Sequence, residues 1–239
     1  MDPDRDALPS RFRDRREGGW LLSRRLERYR QAQRAVVLGL PRGGVVPAAE
    51  IARELELPLD VIISRKLRAS QNPDFAIGAV AEGGEPYLNP ATAERSEAWR
   101  AHVSRETAEQ RVEIAHRQQL FRDGEPLELP AGATAILVDD GVATAATVVA
   151  AIGALRRQPI ERLVLAVPVV PLETVRRLEH LVDELVAITT PALFWSIGGF
   201  YDDFRQVSDD EVRELLEQAR IRCRSAPAPV TKLGRPRDR

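Results

Sequence analysis

Hydrophobic residues in this chain fall into short unbroken runs, separated by stretches where they recur every three or four positions. AVVLGL (35–40), LDVIIS (59–64), TAILV (134–138), RLVLAVPVV (162–170) and ELVAIT (184–189) are five such runs, bounded by glycine, proline or charge. A strand with one wet face alternates apolar and polar residues. These runs do not alternate, so they predict strands covered on both faces. Between them the period changes to that of a helix. Val45, Ala48, Ala52 and Leu55 share one helical face, with Pro47 tolerated in the first turn. Val148, Ile152 and Leu155, with Val149 beside them, mark a second helix, and PLETVRRLEHL a third, with Pro171 near its start. The pattern predicts an α/β fold: a doubly wound, mostly parallel five-stranded sheet with helices on both faces and right-handed crossovers.

Four segments stand apart. SRETAEQRVEIAHRQQLFR (104–122) has helical composition, but its sparse apolar residues form no stripe. It is expected to stand out from the sheet, to order with a ligand, or to be a solvated surface helix. FWSIGGFYDDF (194–204) holds five of the chain's twelve aromatics, as a capping mini-core or as a stacking wall for a flat ligand. Residues 1–19, dense in Arg and Asp, predict a mobile or weakly docked arm, and SAPAPVTKLGRPRDR (225–239) a disordered basic tail. That leaves 20–224 as the folded domain.

Composition narrows the function without naming it. At 239 residues, 44% hydrophobic and 30% charged, the chain can bury a sizeable core. A formal net charge of −1 supplies no global field for nucleic acid or a membrane, so an anion site has to be local. The single cysteine, Cys223, excludes an internal disulfide and a thiolate zinc site, and fits a reducing compartment. His102, His116 and His180 match no metal-ligand spacing. The first residues are too charged for a signal peptide, and no apolar run is long enough for a membrane span, so the expected location is the cytoplasm.

Ligands of an open parallel sheet bind beyond the carboxyl ends of its strands, where two loops carry chemistry. GLPRGG (39–44) follows the first strand. Gly39 and Gly44 have the separation seen in a nucleotide-binding P-loop, but Val45 and Val46 stand where that motif needs Lys and then Ser or Thr. What remains is a pair of glycines that lets backbone N–H groups approach an anion, with the fixed charge of Arg42 beside them. A tight turn with a surface arginine is the alternative. DDGVATAAT (139–147) says more. Adjacent carboxylates repel and are costly to bury unpaired. Thr144, Ala145, Ala146 and Thr147 then open a helix whose first-turn N–H groups suit a phosphate, with small side chains that leave it room. Asp139 and Asp140 suit hydroxyl donors. Phosphate at one end and vicinal hydroxyls at the other describe a ribose 5-phosphate; an N-capped helix after an acidic turn is the structural alternative.

At this point a family comes into view. ILVDDGVATAAT (136–147) resembles the 5-phosphoribosyl pyrophosphate (PRPP) motif of type I phosphoribosyltransferases, and Pro41-Arg42-Gly43-Gly44 looks like their pyrophosphate loop. Arg65-Lys66 at the end of the second strand, NPDFAIGAV (72–80), the polar helix and FYDDFRQVSDDEV (200–212) resemble a bacterial branch of that superfamily, over about residues 10–220. The resemblance implies that Asp139 and Asp140 bind the ribose hydroxyls and that Ala143, Thr144, Ala145, Ala146 and Thr147 bind the 5-phosphate. It places pyrophosphate on residues 41–44, with Arg65 and Lys66 facing it or the incoming group, and puts Lys66 with the two acids in catalysis. It further implies Mg2+ near Asp139 and Asp140, held mostly through substrate and water. Hood elements would come from 81–130 and 192–206, with Trp195, Phe200 or Tyr201 stacking on a base. A homodimer is common among such proteins. Two residues depart from the pattern: Ala145 and Arg68 stand where glycine is usual, and a positive φ at Ala145 would cost about 1 kcal/mol.

Two functions follow from the resemblance. One is Mg2+-dependent transfer of the phosphoribosyl group of PRPP to a nitrogenous base with release of pyrophosphate, or the reverse, as in nucleotide salvage. The other is a regulatory protein that binds PRPP or a nucleotide without turnover.

Overall fold

A computed structural model describes residues 11–70, 72, 75–93 and 96–225. Most of the expected basic tail, the first ten residues of the expected arm, and Pro73 and Asp74 lie outside them. Along the chain run α1 (Arg15–Arg25), β1 (Ala35–Gly39), α2 (Val45–Leu55), β2 (Leu59–Val61), β3 (Ser64–Arg68), β4 (Ala76–Ala81), β5 (Tyr87–Leu88), α3 (Glu97–Arg122), β6 (Ala133–Val138), α4 (Ala146–Leu155), β7 (Ile160–Val169), α5 (Leu172–Leu178), β8 (Glu184–Thr189) and α6 (Asp209–Ser225).

The five unalternating runs form one parallel sheet in the order β2-β1-β6-β7-β8. Successive residues of each strand enter different cores, which is why the runs lack polar positions. In β6, Ile136 and Val138 pack with α1, α2 and α6, while Ala135 and Leu137 pack with α4 and α5. The order reverses at β1 and β6, so the loops after these neighbouring strands open side by side. Among the described residues no helix is long and apolar enough to cross a membrane.

A second, antiparallel sheet joins β3, β4 and β5 in that order. The segment 59–64 is therefore not one strand: β2 ends at Val61, and β3, which carries Arg65 and Lys66, belongs to the other sheet. The region apart from the main sheet thus begins at Ser64, ahead of the expected 81. The long polar helix does not project: one face packs against the fold and the other is exposed. It packs through buried polar side chains, so an apolar stripe is not required. The Arg68 N–H donates to Glu106 at 3.1 Å, Arg65 Nε to Gln110 at 3.1 Å, and Gln118 Nε2 to Glu82 at 2.9 Å. Farther along, buried Arg122 pairs with buried Glu82 and donates to the Val61 carbonyl at 3.1 Å.

Residues 11–19 are not an arm. The Phe12 ring is buried, its N–H donates to the Phe200 carbonyl at 2.8 Å, and its carbonyl accepts from the Asp202 N–H at 2.8 Å. Two residues on, Asp14 caps α1 by accepting from the Glu17 N–H. Charge dominates the composition here, but the fold is set by one aromatic and by main-chain pairing to the 200–203 segment.

Truncating a docked Phe12 to alanine leaves a cavity and costs about 3–5 kcal/mol. The Phe12→Ala protein is expected to unfold at clearly lower urea than the wild type. An unchanged midpoint would return residues 11–14 to the status of a loose arm.

Candidate functional site

Beyond the carboxyl edge of the sheet, β1 and β6 deliver their loops into direct contact. The Leu40 N–H donates to the Val138 carbonyl at 2.9 Å, and the Gly44 N–H turns back to the Leu40 carbonyl at 3.0 Å. The two glycines of PRGG are a steric requirement of this approach. A Cβ on Gly43 would lie 2.0 Å from Asp140 Oδ2, and one on Gly44 2.8 Å from Asp139 Cα. Each loop shapes the other.

The acids differ in what holds them. Asp139 is partly buried, and its Oδ1 accepts from the Asp140 N–H at 2.9 Å. Asp140 is buried, with Arg15 Nε 2.6 Å from its Oδ2. Its main-chain carbonyl accepts from the Tyr201 hydroxyl at 2.5 Å. Burial pushes both carboxyls above the usual range. At Asp139 the adjacent charge of Asp140 adds to the rise; at Asp140 the Arg15 guanidinium opposes it. Arg15 is itself fixed: Nη1 donates to the Arg205 carbonyl at 2.8 Å, and its Cζ lies 3.7 Å from the centre of the Phe204 ring. An open cleft of about 340 Å³ lies over this floor, lined by Arg15, Arg42, Gly43, Asp140, Phe204 and Gln206, with Val207 at its side.

Ala145 precedes α4 at φ 59°, and no side chain caps the helix. The Val149 N–H donates to the Ala145 carbonyl at 2.8 Å, so the N–H groups of Ala146, Thr147 and Val148 precede the first helical hydrogen bond. Ala143 and Thr144 are exposed, Thr147 is partly exposed, and Ala145 and Ala146 are buried. An uncapped helix start with small walls has room and N–H donors for an anion. Left-handed backbone at an alanine costs about 1–2 kcal/mol, while the Ala145 methyl group gains contacts in the core.

The remaining predicted residues divide. Arg42 and Gly43 line the cleft, with Pro41 and Gly44 beside them in the loop. Arg65 and Lys66 do not converge, because neighbours on a strand point to opposite faces. Arg65 turns to Gln110 of α3. Lys66 is exposed, on the strand face of Ser64, whose hydroxyl donates to the Thr147 carbonyl at 3.1 Å. Of the proposed stacking residues, Tyr201 is buried and holds Asp140 in place. Phe200 lies against Phe194 with ring centres 5.6 Å apart, and Trp195 is 95% exposed. The aromatic that lines the cleft is Phe204, from the same cluster. Arg15 is the other contributor that sequence reasoning missed, since RDRREGG carries no signal beyond charge.

Comparison with known proteins gives the family and the fold. The model of the phosphoribosyl transferase domain matches residues 18–205. The "Putative phosphoribosyl transferase Rv0571c" of Mycobacterium tuberculosis (strain H37Rv) is 40% identical over 208 residues, 87% of this chain and 47% of the relative; its counterpart MT0597 in strain CDC 1551 matches equally. The chain thus spans about half the length of these curated relatives. The crystal structure of TT1426 from Thermus thermophilus superimposes with a TM-score of 0.71 at 42% identity, covering 87% of this chain and 98% of that one.

The raised carboxyl of Asp139 has a consequence for stability. Above the ordinary Asp range the unfolded chain ionises freely while the folded protein resists, so stability present at lower pH is lost as pH rises through the raised folded value. Asp139→Asn removes that loss. The ligand-free variant should therefore match the wild type in acid and exceed it at neutral pH, gaining roughly 2–4 °C in Tm per kcal/mol relieved. Melting curves across pH test this; a variant less stable than wild type at neutral pH contradicts it.

Proposed function

The chain belongs to the phosphoribosyl transferase family, and from that premise we propose that it moves the 5-phosphoribosyl group between PRPP and a nitrogenous base, with pyrophosphate as leaving group or reactant. The observation that supports this most is the juxtaposition of three features. An acid pair directly follows β6, an uncapped helix start comes within six residues of it, and a glycine backbone is pressed against the second acid.

In this reading the 5-phosphate rests on the N–H groups of Ala146, Thr147 and Val148, with the hydroxyls of Thr144 and Thr147 as further donors. Asp139 and Asp140 accept hydrogen bonds from the ribose 2- and 3-hydroxyls. The PRGG loop and Arg42 hold pyrophosphate. The bond from the anomeric carbon to the pyrophosphate oxygen breaks with its electron pair leaving on oxygen, and the base nitrogen supplies the pair for the new bond. Fixed dipoles and charges serve this chemistry by positioning both partners and stabilising the electron-poor sugar.

The acid pair also fits a divalent cation of limited kind. Among the described residues no three His, Cys, Asp or Glu side chains converge. A cation here draws most of its ligands from phosphate, sugar and water, which suits Mg2+. When bound, Mg2+ neutralises charge on the departing pyrophosphate.

A second reading, binding of PRPP or a nucleotide without turnover, is favoured by the Arg15–Asp140 pair, which a sugar hydroxyl has to share. One assay separates the two. With PRPP and Mg2+, pyrophosphate release is expected with at least one base from a panel of purines, pyrimidines and pyridines, falling roughly 100-fold or more in Asp140→Asn. Calorimetric binding of PRPP with no release across the panel selects the regulatory reading. Absence of both binding and release removes both.

A further inference from the structure

Arg42 of the PRGG loop meets a second guanidinium across a carboxylate. Asp209, the first residue of α6, has Oδ2 3.9 Å from Arg42 Nη1 and Oδ1 3.5 Å from Arg117 Nη1 of α3. Neither separation is a good hydrogen bond. Asp209 Oδ1 is nevertheless buried and has no hydrogen-bond partner. The Arg117 side chain is 13% exposed and is steadied by Glu113 one turn back, 3.1 Å from its Nε. A buried carboxylate oxygen without a hydrogen bond, between two arginines from separate elements, is an underused counter-ion.

We propose that Arg42 and Arg117 together form the pyrophosphate subsite, and that Asp209 is its resident competitor, displaced when pyrophosphate or the pyrophosphate end of PRPP binds. This rests on the function proposed above and adds two residues to it, neither in the sequence-derived site. The local balance of charge supports it. Burial pushes the Arg65 guanidinium down from its usual range, and Arg117, Arg68 and Arg42 push it further, against Glu113. Arg42, Arg68 and Arg117 thus act together on Arg65, with Glu113 opposing them, a local bias toward positive charge that a multivalent anion relieves. Two guanidinium forks match phosphate oxygens in a way a single carboxylate at 3.5–3.9 Å does not. Asp209 sits in the first turn of α6 with Asp210 and Glu211, at the end of the helix dipole that attracts carboxylates.

A structural pair and a competitor pair respond differently to mutation. Arg117→Gln and Asp209→Asn break the same contact, so a purely structural role moves binding the same way in both. The proposal requires opposite signs. In calorimetric titrations of the full chain with inorganic pyrophosphate, Arg117→Gln is expected to bind about tenfold more weakly or worse. Arg117→Lys should recover part of that loss. Asp209→Asn is expected to bind more tightly, by up to about fivefold. Ribose 5-phosphate, which lacks the pyrophosphate group, should bind all four proteins alike and shows that the variants are folded. Shifts of one sign in both variants, or no shift, overturn the subsite. Wild-type binding of ribose 5-phosphate without pyrophosphate overturns it too, and leaves the sugar site standing. Binding of neither ligand removes the subsite together with the function it rests on.

Discussion

Two carboxylates on consecutive residues at the end of a buried strand are a standing electrostatic cost, and much of the structure is arranged to contain it. Arg15 neutralises Asp140 from α1, Tyr201 fixes the Asp140 main chain, and Phe204 covers the guanidinium that does the neutralising. Each comes from chain far from β6 in sequence. The pairing of residues 11–13 with 200–203 brings them together, so the docked N-terminal segment belongs to the site as well as to the fold.

The same logic extends to the opposite wall. Asp140 faces Arg15 and Arg42 faces Asp209, so the ligand-free protein fills charged positions of the cleft with partners of its own. Under the proposed function, a phosphorylated sugar would have to exchange these ion pairs for its own. Such an exchange would make binding weaker than the bare charges imply, and selective for ligands that present hydroxyls and anions in the right order. The left-handed alanine before α4 fits this picture of conformational cost concentrated at a site of function.

The main sheet was legible because burial on both faces removes the polar residues from a strand, and five runs show this plainly. The PRGG and DD loops were legible because their chemistry is local. The second sheet was not: β3 is SRKLR, in which the Arg65 side chain and the Arg68 main chain bond to α3, and β4 is AIGAVA, whose small residues carry little strand propensity. The fit of α1 was hidden for a similar reason. Gly18 and Gly19 let it press against Pro168 and Pro47, a match of shapes with no period. Helical spacing in α6 is visible in Val212, Leu215, Leu216 and Ala219, but its delivery of Asp209 to Arg42 is not. Contacts between residues distant in sequence decide the roles of Arg15, Phe204, Arg117 and Tyr201, and a linear pattern does not carry them.

The central claim is that the acid pair and the start of α4 hold one phosphorylated sugar between them. A crystal structure with ribose 5-phosphate tests it most directly. The account predicts phosphate oxygens on the N–H groups of Ala146, Thr147 and Val148, and sugar hydroxyls on Asp139 and Asp140. It is contradicted if the sugar phosphate settles elsewhere, for instance in the cavity of about 460 Å³ beside Phe75, Trp99 and His102, and leaves the acid pair with Arg15 alone.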